Sequence, residues 1–198
     1  MREIGRITLL QVLQSTVKLG EGFNTYYDPT PILAVEKLLL SPQGVIGLLS
    51  NGQQVMDVHH IEHPASRNRG NNGVSLGFTS HYATMRRQFG DHLANGIASD
   101  NIVIETECIF ARKDLGNRIA IQAQETGQFV YLTKLRVAAP CVEFAEFAAN
   151  ASLPMSGKEL KIVLQFLNDG RRGFYATVAD QSDQMLIRVG DRVYAYSP

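Results

Sequence analysis

The side chain best equipped for chemistry is Cys141, in the stretch Val137-Ala138-Ala139-Pro140-Cys141-Val142-Glu143-Phe144. A strand-like run ends at Val137 and Pro140 opens a short helical stretch through Ala149, so the thiol falls within the first turn of a helix. There the unpaired backbone N–H groups and the positive end of the helix dipole favour negative charge, which predicts a thiolate more stable than one in bulk water. A thiolate can attack sulfur, hold a persulfide or ligate a soft metal. The same spacing admits a plainer reading. Cys141 shares a helical face with Phe144, Ala145 and Ala148, and free cysteine is often a small buried hydrophobe.

A second group is His59, His60 and His63 followed by Arg67 and Arg69. Imidazole and guanidinium donors at this density can gather around an anionic cofactor phosphate, and they are equally compatible with a solvated loop. Pro64 argues against a helix that carries His59 and His63 on one face, so a zinc site has no support. Arg171 and Arg172, between Gly170 and the strand that starts at Gly173, can close the same site from the other side or remain solvated. The Asn101 amide can bond a ligand or cap the Ser99-Asp100 turn. Ser75, Ser80 and His81 do not form a nucleophile elbow, and Gly20-Glu21-Gly22 leads to Phe23 and Tyr26 rather than to a phosphate-cradling lysine.

The elements that must position these residues are mostly strands. Ile4 to Val17 is apolar and β-branched, and Ala34–Leu40 with Gly44–Leu49 reads as two strands around Ser41-Pro42-Gln43-Gly44. The polar passage from Ser50 to Asn72 reads as a long functional or mobile loop. Thr79 or Ser80 is placed to cap a helix with Tyr82, Met85 and Phe89 on one face, stopped by Gly90. Ile102 to Ile109 is strand-like, with Ile102, Ile104, Thr106 and Cys108 on one face, which predicts Cys108 in the core. Ile119–Ala123 and Phe129–Val137 resemble a hairpin around Glu125-Thr126-Gly127. Ser156-Gly157-Lys158-Glu159 matches a capping box ahead of Leu160, Val163, Leu164 and Leu167 at helical spacing. Gly173–Val178 is strand-like, and Met185–Val189 with Arg192–Tyr196 predicts a tight hairpin at Gly190-Asp191.

About eight to ten short strands and three helices without βα alternation predict a mainly β fold, a closed or nearly closed antiparallel β-barrel with a few peripheral helices. With 198 residues, one domain spanning 1–198 is expected. Lysine plus arginine number 19 and aspartate plus glutamate 19, so no net field draws the chain to nucleic acid or to an anionic membrane. No run reaches the roughly 18 apolar residues of a membrane span, and two cysteines without a CxxC pair predict free thiols in a reducing, cytoplasmic setting.

One further pattern lies in the order of short blocks. Gly96-Ile97-Ala98-Ser99-Asp100-Asn101-Ile102-Val103-Ile104 is followed by Leu115-Gly116-Asn117-Arg118-Ile119-Ala120-Ile121, then Ala139-Pro140-Cys141-Val142-Glu143-Phe144. Gly173-Phe174-Tyr175-Ala176-Thr177-Val178 and Val189-Gly190-Asp191-Arg192-Val193 complete the series. In this order they resemble the MOSC family, the domain named after the C-terminal part of molybdenum-cofactor sulfurase, over about Gly44 to Tyr196. Asp100-Asn101 stands where members of that family commonly carry Glu-Asn.

The resemblance implies a β-barrel whose cysteine, here Cys141, either carries sulfur as a persulfide or ligates the molybdenum of a bound molybdopterin cofactor. The sulfur donor would be a separate cysteine desulfurase that uses pyridoxal phosphate, since this chain has no second domain for covalent pyridoxal phosphate. The activity implied is sulfur transfer or molybdenum-dependent reduction of N-hydroxylated small molecules. Asp100 and Asn101 are the implied pocket residues; Arg67, Arg69, His59 and His60 are expected, from their own side-chain chemistry rather than from the resemblance, to bind anionic groups. The alternative is a non-catalytic barrel that binds a small molecule or a protein without cysteine chemistry.

Overall fold

The computed structural model describes residues 1–152, 154–180 and 184–196. In chain order the strands are β1 (Arg2–Leu13), β2 (Lys18–Leu19), β3 (Tyr26–Tyr27), β4 (Ile32–Ala34), β5 (Lys37–Ser41), β6 (Gly44–Leu48), β7 (Gln54–Met56) and β8 (Val74–Phe78). Helix α1 (Thr79–Phe89) precedes β9 (Ile102–Glu105), β10 (Ile119–Gln122) and β11 (Phe129–Val137). Helices α2 (Val142–Ala148) and α3 (Gly157–Leu167) follow, then β12 (Phe174–Val178), β13 (Met185–Arg188) and β14 (Arg192–Ala195).

Seven of these strands close on themselves in the order β1, β14, β10, β11, β12, β8, β9 and back to β1. Closure leaves the ring without a free edge, as the turn spacing predicts. One departure from the antiparallel expectation is the β8–β9 pair, which is parallel, with Leu76 opposite Ile102 and Phe78 opposite Ile104. Helix α1 and the turns after it make the crossover that a parallel pair needs. Strand β8 is buried at all five positions, so its side chains show no inside–outside alternation and its sequence carries no strand period.

The barrel interior is packed by Leu10, Leu76, Phe78, Ile104, Ile121, Leu132 and Phe174, all fully enclosed or nearly so. The long β1 serves three neighbours in turn, β14 at Arg2–Arg6, β9 at Arg6–Leu10 and β4 at Gln11–Leu13. Gly5 sits at the first register shift, where a Cβ would collide with the Glu105 carbonyl oxygen. A four-stranded sheet, β13-β5-β6-β7, lies beside the barrel, and the β5–β6 hairpin is the one the sequence predicts.

A second, smaller core joins the three helices, with Tyr27, Tyr82, Met85, Leu93, Phe144, Ala148, Val163 and Leu167 in contact. Helix α3 begins in a capping box as expected, with Ser156 Oγ accepting from the Glu159 N–H and the Glu159 carboxylate accepting from the Ser156 N–H at 3.2 Å. Among the described residues no helix is long and apolar enough to cross a membrane.

Three local expectations differ. Neither Thr79 nor Ser80 caps α1, because both hydroxyls tie sideways to the next turn. Thr79 Oγ1 accepts from the Thr106 N–H at 3.0 Å, and Ser80 Oγ donates to the Cys108 carbonyl at 2.6 Å. Those ties end β9 at Glu105 and leave Cys108 exposed rather than in the core. The passage from Ser50 to Asn72 contains β7 and is pinned by its own polar groups rather than loose. Finally, β13 and β14 do not form a hairpin, since β13 pairs with β5 and β14 with β1 and β10. The Gly190-Asp191 turn is anchored outward instead. Asp191 accepts from the Gln124 N–H at 3.0 Å and Gly190 donates to the Ile7 carbonyl at 2.8 Å, which carries the chain from the side sheet into the barrel.

Candidate functional site

At one mouth of the barrel, β1 and β11 end while β8, β9 and β12 begin, and a cavity of about 300 Å³ opens among them. Cys141, His59, Arg67 and Arg69, named from the sequence, all line it. So do Arg172, Arg136, Lys18, Tyr27 and Tyr175. No aspartate or glutamate is among its described lining residues, so the walls present four guanidinium groups and an ammonium. Lys18 has a local counter-charge, the Glu143 carboxylate at 2.7 Å, which stands outside the cavity wall.

The arginines are placed by different elements. The segment after β7 is folded on itself, with Asn72 accepting from the Arg69 N–H at 2.6 Å and donating to the Arg67 carbonyl at 3.1 Å, and this holds Arg67 and Arg69 at the rim. Arg136 lies in β11 just past a bulge. Thr133 faces Thr177 and Arg136 faces Tyr175, so β11 carries one extra residue, and Lys134 takes a left-handed φ of 52° to accommodate it. The bulge resets the strand's phase and brings Arg136 over the Tyr175 ring, 4.8 Å from its centroid.

Arg172 is the innermost cation. It is buried between the rings of Phe144 and Tyr175, donates to the Ala98 carbonyl, and stands 3.6 Å from Asp100 Oδ1. At that separation the pair is ionic without a hydrogen bond, and Arg172 Nη1 has no hydrogen-bond partner among the described residues. Burial works against the guanidinium's charge, but Tyr175 and Asp100 outweigh it, and Arg172 stays cationic. Arg171, the other arginine of the pair, turns away to the Phe166 carbonyl and ring.

Asp100 and Asn101 do not line the cavity; they form the layer behind it. Asp100 accepts the Tyr82 hydroxyl and is fully buried, and burial pushes its carboxyl up against the opposing pull of Arg172. Two glycines make its space. A Cβ at Gly77 would overlap Asp100 Oδ2, and one at Gly173, where φ is +125°, would come within 2.8 Å of Oδ1. Asn101 accepts from the Ser75 N–H at 2.9 Å and hydroxyl at 2.9 Å, and donates to the Gln11 carbonyl and, at 2.8 Å, to Asp57. His60 is also behind the wall, buried, with its Nδ1 accepting from the Glu62 N–H at 3.2 Å.

Cys141 is half-buried at the N-terminal boundary of α2, where it meets both the cavity and the helical core. The sequence predicts a stabilised thiolate there, and the structure reverses the sign. Burial is the largest influence and pushes the thiol up; the Phe144 N–H acts in the expected direction but is outweighed. The resting group is a thiol.

The residues that sequence spacing does not bring forward are Asp57, Arg136, Lys18, Tyr27 and Tyr175. Arg136 is hidden by a bulge that alternation cannot register. Asp57 reads as one more polar loop residue, although Asp57-Val58-His59 is itself a carboxylate two positions from an imidazole.

No family model matches the chain, and no curated protein matches it. The fold is similar to that of the YuaD protein from Bacillus subtilis, at a TM-score of 0.57 and 13% identity over 97% of this chain and 96% of that one. YiiM from Escherichia coli aligns at a TM-score of 0.52 and 10% identity over 98% of this chain and 70% of its own. A hypothetical protein of known structure gives 0.53 and 12% over 95% of this chain and 66% of that one. The chain has a MOSC-like fold. At these identities the likeness is one of backbone, and the side chains at the mouth of the MOSC-like barrel must be read for themselves.

Proposed function

We propose that the cavity binds an anionic group of a small molecule or cofactor and that the Cys141 sulfur is its chemical partner. One observation carries this reading: a half-buried thiol and the guanidinium-bearing side chain of Arg172, with Arg67, Arg69 and Arg136, line the same cavity, whose described walls hold no carboxylate. Within it, Cys141 serves either as a persulfide carrier or as a ligand of molybdenum.

The residues fit the molybdenum cofactor. Arg67, Arg69, Arg136 and Arg172 are the donors that would hold its phosphate, since guanidinium matches phosphate oxygens in bidentate fashion. Among the described residues no group of three or more His, Cys, Asp or Glu side chains could cage a metal ion. A metal would therefore bring its own organic ligands and take Cys141 from the protein. Bound there, the cofactor would supply the redox centre for reducing an N-hydroxylated small molecule. As a carrier, Cys141 would receive sulfur from a separate pyridoxal-phosphate cysteine desulfurase.

The second reading, a barrel that binds a small molecule or protein without cysteine chemistry, is favoured by the upward shift of the Cys141 thiol. Purified protein analysed for molybdenum, and weighed by intact mass after treatment with a desulfurase and cysteine, separates the two. Bound metal or one added sulfur, each lost in Cys141→Ala, supports the first reading. Neither metal nor sulfur leaves the binding barrel.

A further inference from the structure

We propose that His59 is the acid–base residue of the cavity and that Asp57 is its positioning residue, so that His59 Nε2 exchanges a proton with the molecule bound beside Cys141. This rests on the anion-binding reading for the location of that molecule, and on the geometry of the pair for the chemistry.

Asp57 is fully buried and acts only as an acceptor. Its Oδ1 takes the His59 N–H at 2.8 Å and meets the His59 Nδ1 at 3.0 Å, which fixes the imidazole from backbone and ring together. Its Oδ2 takes the Leu13 N–H at the end of β1 at 2.8 Å and the Asn101 amide at 2.8 Å. Because the Asp57 oxygen offers no hydrogen, the shared one sits on Nδ1. The neutral ring then carries its lone pair on Nε2, the nitrogen that makes no hydrogen bond to the described protein, while the ring itself lines the cavity. Asn101 thus reaches the site at one remove: Ser75 orients Asn101, Asn101 and the end of β1 hold Asp57, and Asp57 sets the tautomer of His59.

The neighbouring histidine shows the contrast. His60 accepts the Glu62 N–H at its Nδ1, packs against Gly44, and among the described residues has no carboxylate hydrogen-bonded to its ring.

The step balances without a redox partner. Nε2 accepts the proton of an X–H group of the bound molecule, leaving the electron pair on X, or the imidazolium returns that proton to a departing oxygen or nitrogen. The hydrogen on Nδ1 stays there throughout, donated to the Asp57 carboxylate, which stabilises the cationic ring. The charges facing His59 bias this exchange. Arg67 and Arg69 from its own segment, Arg136 from β11, Arg172 from the turn before β12 and Lys18 from β2 oppose the imidazolium. Asp57 favours it, the Tyr175 ring stands 6.4 Å away from centroid to centroid, and Cys141 is uncharged at rest. A bound anion offsets the cations, so anion binding and protonation of His59 are linked.

Sulfate is a suitable probe because it stays dianionic across neutral pH. Calorimetry of the full chain at pH 7, in buffers of differing ionisation enthalpy, counts the protons taken up per sulfate bound. The expected result is measurable uptake in the wild type and none in His59→Gln, which still binds sulfate about three- to tenfold more weakly. Long-range 1H–15N spectra of histidine-labelled protein should show His59 with hydrogen on Nδ1 and a bare Nε2, a state that becomes a tautomer mixture in Asp57→Asn. Undiminished proton uptake in His59→Gln, or a wild-type ring with its hydrogen on Nε2, overturns the proposal. A wild type that binds no sulfate overturns the anion-binding reading instead, and the tautomer spectra of the wild type still decide the role of Asp57.

Discussion

Asp100 holds Arg172 from behind, with carboxylate and guanidinium 3.6 Å apart in a layer closed to solvent. The pair matters less as an ion pair than as a means of aiming a cation. Its partner hydroxyl, Tyr82, and the glycines at 77 and 173 leave the carboxylate one position to occupy. Removing one member of a buried pair strands the other, which typically costs about 3–5 kcal/mol. Asp100→Asn is therefore expected to lower unfolding stability by roughly 3 kcal/mol, read from urea midpoints. Gly173→Ala, which forces a side chain into a left-handed φ against Asp100, should cost more than about 1 kcal/mol by the same measurement.

A second prediction concerns pH. His81 lies on the buried face of α1; its Nδ1 lies 2.8 Å from the Gly170 carbonyl and its Nε2 accepts from the Phe110 N–H at 3.0 Å, so the ring must be neutral to serve both. Burial pushes His81 down to about 4, from an ordinary value of 6.5. Because the folded-state value is depressed, the unfolded chain gains the proton first. The stabilisation is complete above about pH 6.5 and is lost as pH falls toward 4, amounting to on the order of 3 kcal/mol over that interval. The wild type should lose stability between pH 7 and pH 4.5 more steeply than His81→Gln, as followed by urea denaturation. Parallel curves would sink the assignment.

Much of this fold is legible in the sequence, and the exceptions share a cause. The β5–β6 and β10–β11 hairpins, α1 and the capping box of α3 all depend on contacts within about fifteen residues, and their periods and turn residues announce them. Strand β8 has no alternation to read because both of its faces are covered, and its parallel partner is supplied from across α1. The Gly190-Asp191 turn carries a hairpin signature, yet long-range bonds to Ile7 and Gln124 overrule it. The site divides in the same way. Cys141, His59, Arg67 and Arg69 stand out by residue type and local spacing. Arg136 needs a bulge, Tyr175 reaches the cavity because β12 closes into the barrel, and Lys18 and Tyr27 reach it on the separate β2–β3 ribbon, which packs through Tyr27 on Phe144 of α2.

The two thiols should differ in reactivity, in the order opposite to that expected from the position of Cys141 at a helix start. Cys108 is exposed, whereas Cys141 is half-buried and its thiol is pushed up by that burial. Iodoacetamide at pH 7.5, with modified peptides counted by mass spectrometry, should label Cys108 at least about fivefold faster than Cys141. Labelling of Cys141 should accelerate as pH rises. Faster labelling of Cys141 at neutral pH would mean that the sulfur is ionised in solution and that the influence of the Phe144 N–H exceeds that of burial.

Arg136 gives the most selective test of the cavity's electrostatics. It is half-buried, stacked on Tyr175, and donates through Nε to the Asn71 carbonyl at 3.2 Å, which leaves its terminal nitrogens to face the cavity. Unlike Arg172 it has no buried carboxylate behind it among the described residues, so its removal should spare the fold. A hydrogen bond from a charged donor contributes about 1.5–3 kcal/mol, which corresponds to a ten- to hundredfold change in affinity. Arg136→Met is expected to weaken sulfate binding by about tenfold, read by calorimetry at low salt, while the urea midpoint stays near that of the wild type. Arg136→Lys should recover only part of the loss, since an ammonium restores charge but neither the planar stacking on Tyr175 nor the bidentate grip. Unchanged affinity in both variants would place the bound anion on the far wall, with Arg172 and Lys18.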